Sequence, residues 1–157
     1  MLRQVYGKMT AQEKADSLKK PKKRKKGEKS GLQKRKDNVN SLYWKRKAMA
    51  VWSAIMHTKF DTCLVGVGCQ GRLEAHHLLS RAKVMTRNDI NNGVLLCSLH
   101  HKFSTEISPH TAPIQFTEFL RENYPDKIEY VMENMHKTGK PNYLADYEKL
   151  TEIMEKL

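Results

Sequence analysis

The sequence predicts an α+β fold in which a basic N-terminal arm precedes a helix, a short β-rich centre, and two or three further helices. Three observations carry this. Apolar residues recur at helical spacing over 40–58, 114–123, 126–136 and 142–157. The stretch between the first two holds all three cysteines, Cys63, Cys69 and Cys97, and three glycines within six residues, Gly66, Gly68 and Gly71. The charge is divided unevenly: residues 1–47 hold 17 Lys+Arg against 4 Asp+Glu, and the rest of the chain holds 12 against 13.

Residues 1–38 are read as a disordered basic arm. The run KKPKKRKKGEKSGLQKRK, 19–36, has a single apolar side chain, Leu32, so burial cannot offset the entropy of ordering mutually repelling charges. Lys22, Lys23, Arg24, Lys25 and Lys26, with Lys34, Arg35 and Lys36, are candidate phosphate contacts, because each neutralised phosphate releases a counterion. The remainder, 39–157, is read as one domain, with its core over 59–104 and C-terminal helices over 113–157.

Segment 40–58 places Leu42, Ala48, Val51, Trp52, Ile55 and Met56 along one helical stripe, with Asn40 or Ser41 available as N-cap. Its Lys45, Arg46 and Lys47 extend the basic surface onto an ordered element, and Trp52 is assigned to the core. Segment 61–79 is expected to form a β-hairpin around its glycines. The polar stretch 81–93 is a loop, and the apolar run VLLCSLHHKF after it is expected to be a helix. Beyond Pro113 the apolar spacing predicts support helices, separated at Pro125 and at the TGKP of 138–141.

Several classes are excluded. Mean hydropathy is −0.71, and no window approaches the roughly 18 consecutive apolar residues of a membrane-spanning helix. The N-terminus lacks the apolar core and small-residue cleavage site of a secretory signal, so a reducing compartment is expected. An odd number of cysteines, all inside one 39-residue region from Cys63 to His101, points to metal ligands rather than to a disulfide framework. Cys63, Cys69, Cys97 and His100 together supply the four S and N donors of a tetrahedral structural zinc site. Cys97 and His101 have an equally acceptable spacing, since residues four apart share a helix face.

Two histidine pairs, His76–His77 and His100–His101, flank a loop that contains Asn92. The segments LEAHHLLSR, 73–81, and SLHH, 98–101, with Asn92 in NNGVLLC between them, resemble the motif of the HNH, or ββα-metal, endonucleases. More loosely, WSAIMHTKFDTC, SRAKVMTRNDINN and PIQFTEFLRENYP are similar to phage HNH proteins of the NinG recombination type. The resemblance implies a ββα-metal core stapled by zinc, DNA as partner, and a bacterial host cytoplasm as location. It makes His77 the general base, His76 and His101 ligands of a catalytic Mg²⁺ or Mn²⁺, and Asn92 the residue that pins the loop. Arg81 is the candidate phosphate clamp, and His110 or water the remaining ligand. The implied reaction is hydrolysis of DNA phosphodiesters to 5′-phosphate and 3′-hydroxyl ends. A competing reading from the binding class is a non-catalytic zinc-stapled nucleic-acid-binding module that assists recombination or packaging. Adjacent strand residues face opposite sides, so a single site containing both His76 and His77 requires a twisted or bulged strand end.

Overall fold

The computed structural model describes residues 27–157. Lys22, Lys23, Arg24, Lys25 and Lys26 lie outside the described residues, as does most of the expected arm. One compact unit runs from Gly31 to Leu157 and begins earlier than the boundary expected at 39. The first seven residues of this unit form helix α1, Gly31–Asp37, which corrects the expectation that disorder extends to 38. Contacts from the next helix meet it: the Trp44 indole N–H donates to the Lys36 carbonyl at 2.9 Å, and the Lys36 ammonium lies over the Tyr43 ring at 5.9 Å.

Helix α2, Leu42–Lys59, buries Ala48, Trp52, Ile55 and Met56 of the expected stripe, whereas Val51 is half-buried and Leu42, at the helix start, is exposed. No hairpin forms within 61–79. Residues 61–72 make a turn-rich loop, and Leu73–His77, strand β1, pairs antiparallel with β2, Gly93–Cys97. The run read as a helix therefore starts as a strand. All five β2 residues are buried, and a strand covered on both faces shows a continuous apolar run with no period of two. The helical character begins only afterwards, in a five-residue π-type turn over Leu99–Phe103, closed by the Ser104 N–H on the Leu99 carbonyl at 2.8 Å.

Helices α3, Pro113–Asn123, α4, Pro125–Asn134, and α5, Tyr143–Glu155, follow the sequence reading closely. A proline opens each of the first two, where its missing N–H leaves no bond unmade, and Asn142 caps the third through its side-chain oxygen on the Ala145 N–H. The sheet lies between two apolar clusters. Val94, Leu96, Cys97 and Cys63 pack with Phe116 and Leu120 of α3. On α2, Ala48, Trp52, Ile55 and Met56 pack with Leu150 of α5, and Ala75 of β1 sits against that cluster. Among the described residues no helix is long and apolar enough to cross a membrane.

Candidate metal centres and the groove beside them

The loop before β1 brings Cys63 and Cys69 together across two residues with left-handed backbone, Gly66 at φ +83° and Gly68 at φ +63°, a conformation other residues adopt only at a cost. The loop is tied to β2 by the Leu64 N–H on the Leu95 carbonyl at 2.8 Å, and to the π-type turn by the Leu99 N–H on the Gln70 carbonyl at 3.1 Å. Cys97 at the end of β2 and His100 on the turn complete the group. His100 Nδ1 lies 3.5 Å from Cys63 Sγ, 3.8 Å from Cys69 Sγ and 3.3 Å from Cys97 Sγ. A tetrahedral zinc ion with ordinary Zn–S and Zn–N bonds sets its ligand atoms about 3.6 Å apart. The cluster fits a structural metal such as zinc, with donors Cys63, Cys69, Cys97 and His100. Of the two histidines compatible by spacing, the structure brings His100 to the cysteines.

His101 points to a second group. Its Nε2 lies 3.0 Å from His76 Nδ1 and 3.3 Å from His110 Nε2, and the three rings form a second metal-competent cluster. A carboxylate only accepts hydrogen bonds, so the 2.8 Å contact of His101 Nδ1 with Glu74 Oε2 places the proton on Nδ1 and leaves the Nε2 lone pair facing the cluster. Glu74 also pairs with Lys102 and Arg72. The Lys102 ammonium, with His101 and Arg72, holds the Glu74 carboxyl down at about 2. Burial, together with the charges His101 and His110 would carry, pushes His76 down to about 3, so its ring stays neutral at neutral pH. His110 is fixed from below by the Ser108 hydroxyl, which accepts the His110 N–H at 3.2 Å and donates to the His101 carbonyl at 2.9 Å.

His77 is the next residue but turns the other way. The β1–β2 register runs without interruption from Leu73 opposite Cys97 to His77 opposite Gly93, so no bulge interrupts the strand and the two rings face opposite sides of the sheet. Both nevertheless line one groove of about 930 Å³, together with His101, His110, Arg81 and Lys102. The His77 ring stacks on Trp52 with centroids 3.8 Å apart. Gly93 makes this possible, since a Cβ there would lie 2.8 Å from Trp52 Cζ2 and 2.4 Å from Met56 Sδ. His77 Nε2 is 2.8 Å from the Arg87 carbonyl oxygen, so that nitrogen carries the proton and Nδ1 is bare in the neutral ring. Burial lowers the His77 pKa, against the opposing effect of the Arg87 carbonyl.

Asn92, fully buried, ties both ends of the intervening loop. Its Oδ1 accepts the Leu79 N–H at 2.7 Å, and its Nδ2 donates to the carbonyls of Leu79 and Thr86 at 3.1 and 2.9 Å. Among the candidate DNA contacts, Lys34, Arg35, Lys36, Arg46 and Lys47 are exposed and Lys45 is half-buried. Sequence reasoning missed Glu74, which sits two residues before His76 on the same strand face, a period-two signal present in the sequence. It also missed Arg87 and Tyr143, whose contact spans 56 residues and leaves no local signal. No family model, curated protein or solved structure matched the chain.

Proposed function

We propose that the protein is a metal-dependent endonuclease of the HNH type that hydrolyses DNA phosphodiester bonds, nicking or cutting to leave 5′-phosphate and 3′-hydroxyl ends. The observation that carries this reading is the meeting of two differently prepared histidine sets at one groove: His77 with a bare Nδ1, and His76, His101 and His110 with their ring nitrogens converged. Their N···N separations of 3.0 and 3.3 Å match the roughly 3.0–3.4 Å that neighbouring imidazole ligands adopt about one divalent ion. Three nitrogen donors suit Mn²⁺ or another transition ion better than Mg²⁺, which prefers oxygen. Such an ion, when bound, supplies electrostatic stabilisation of the charge that develops on the phosphoryl oxygens and the departing 3′ oxygen.

The chain's own residues do the rest. A base must be unprotonated and within reach of the attacking water, and the Arg87 carbonyl commits His77 to the tautomer whose Nδ1 can take that proton. Its burial keeps the ring neutral at neutral pH. Stacking on Trp52 holds the ring plane. Arg81, exposed and lining the groove, is suited to hold a phosphate oxygen by a charge-assisted bond. The order β1, β2, then a helical turn carrying His101 agrees with a ββα-metal core. The exposed cations of α1 and the start of α2 supply the sequence-independent grip on DNA.

Supercoiled plasmid incubated with the zinc-loaded full chain tests the reading. Nicked circles are expected in Mn²⁺ and none with EDTA. Salt-sensitive DNA binding without cleavage in Mn²⁺, Zn²⁺ or Mg²⁺ would overturn it in favour of a zinc-stapled binding module.

A further inference from the structure

The loop between the two histidine pairs contains an unusual group. Arg87 is 5% exposed, and among the described residues no carboxylate pairs with it. An unpaired buried guanidinium is costly, so the bonds it does make bear on its role. Its Nη1 donates to the Tyr143 hydroxyl at 2.8 Å, its Nε donates to the Arg81 carbonyl, and its carbon lies 5.4 Å from the Tyr143 ring centroid. Tyr143 opens α5 and is itself buried. Two neighbouring loop carbonyls are also held from outside the loop or from its end, Thr86 by Asn92 Nδ2 at 2.9 Å and Asp89 by the Trp52 indole N–H at 2.9 Å. The Arg87 carbonyl lies between them and meets His77 Nε2 at 2.8 Å.

We infer that Arg87 and Tyr143 form a clamp that fixes the Arg87 carbonyl and thereby sets the tautomer and orientation of His77. Both are positioning residues: neither touches the reacting atoms, and they act through the peptide whose oxygen His77 addresses. The clamp also explains why a cation is used where an apolar side chain would be cheaper. Only a guanidinium can bridge a loop carbonyl and a hydroxyl on α5 with one rigid fork. The inference rests on His77 being the base, as proposed above, yet its first readout does not require cleavage.

That readout is the pair of imidazole ¹⁵N shifts of His77 in the zinc-loaded full chain, which separates an Nε2-protonated ring from an Nδ1-protonated one. The wild type is expected to be wholly Nε2-protonated. Tyr143→Phe, which removes the hydroxyl and keeps the ring, is expected to show a mixed tautomer signal and kcat for nicking lowered about tenfold at unchanged KM. Arg87→Lys keeps the charge, loses the fork, and is expected to behave alike. A folded Tyr143→Phe or Arg87→Lys protein whose His77 shifts match wild type would overturn the clamp, whatever its melting temperature. Wild-type shifts of the expected kind in a protein that cuts no DNA would refute the nuclease reading and leave the clamp standing.

Discussion

Gly93→Ala tests how the sheet presents His77. The added Cβ meets Trp52 Cζ2 at 2.8 Å and Met56 Sδ at 2.4 Å, against an ordinary carbon contact of about 3.5–4.0 Å. Met56 is a flexible side chain, but it is 0% exposed and in a close-packed core shifts only by displacing its neighbours, while Trp52, 1% exposed, borders the groove. The indole is rigid and anchored by its N–H on the Asp89 carbonyl at 2.9 Å. The overlap must therefore be relieved by moving Trp52 or separating α2 from β2. Overpacking of this kind costs about 1–3 kcal/mol, and the upper end applies where one partner is a fixed ring. At about 3–5 °C per kcal/mol for a unit of this size, Tm should fall by about 10 °C. Thermal and urea unfolding of the zinc-loaded variant measure this, and the same sample should lose nicking activity because the His77 stack is disturbed. A Tm within about 2 °C of wild type, the range of a surface substitution, would refute the reasoning about the Trp52–His77–Gly93 contact.

Three further outcomes are expected. Removing zinc with a strong chelator should lower Tm by more than about 10 °C, since in a small domain metal binding is folding free energy; equal melts with and without chelator would contradict a structural Cys63–Cys69–Cys97–His100 site. Asn92→Ala strips partners from the Leu79 N–H and the Leu79 and Thr86 carbonyls in a buried place and should cost about 3 kcal/mol in urea unfolding. Stability should fall on acidification. Burial holds His76 at about 3, far below its usual 6.5, so the unfolded chain takes up a proton the folded one refuses as pH drops through 6.5. Glu74, held at about 2 mainly by Lys102 and His101 against 4.5, adds a further loss as pH falls from 4.5 towards 2. Both groups have depressed folded values, so both confer stability above their unfolded pKa and lose it below. Urea midpoints that stay level from pH 7 to pH 5 would contradict the first effect.

The helices were legible because a one-sided stripe repeats every three or four residues, and Ala48, Trp52, Ile55 and Met56 lie on it. The candidate metal ligands were legible because cysteines cluster where glycines permit tight turns. Strand β2 was not, since Val94 to Cys97 are covered on both faces and show no alternation. Nor could spacing separate His100 from His101: three and four residues after Cys97 are both acceptable on a helical turn. Only the direction of the π-type turn over Leu99–Phe103 sends one ring to sulfur and the other to His76. Order within α1 was hidden because its contacts with Tyr43 and Trp44 lie outside the charge run. Arg87 and Tyr143 were invisible because their contact spans 56 residues, and a single chain records no such pairing. Glu74 did leave a signal, its period of two with His76 on one strand, though its contact with His101 spans 27 residues.

The central claim is that His77 draws the proton from the water that attacks the phosphate. Single-turnover cleavage of plasmid DNA by wild type and His77→Ala, both at full zinc content and saturating Mn²⁺, tests it most directly. The rate is expected to fall by about 10²–10⁴ in His77→Ala, with DNA affinity unchanged. A folded, zinc-replete His77→Ala protein that cuts as fast as wild type would contradict the account.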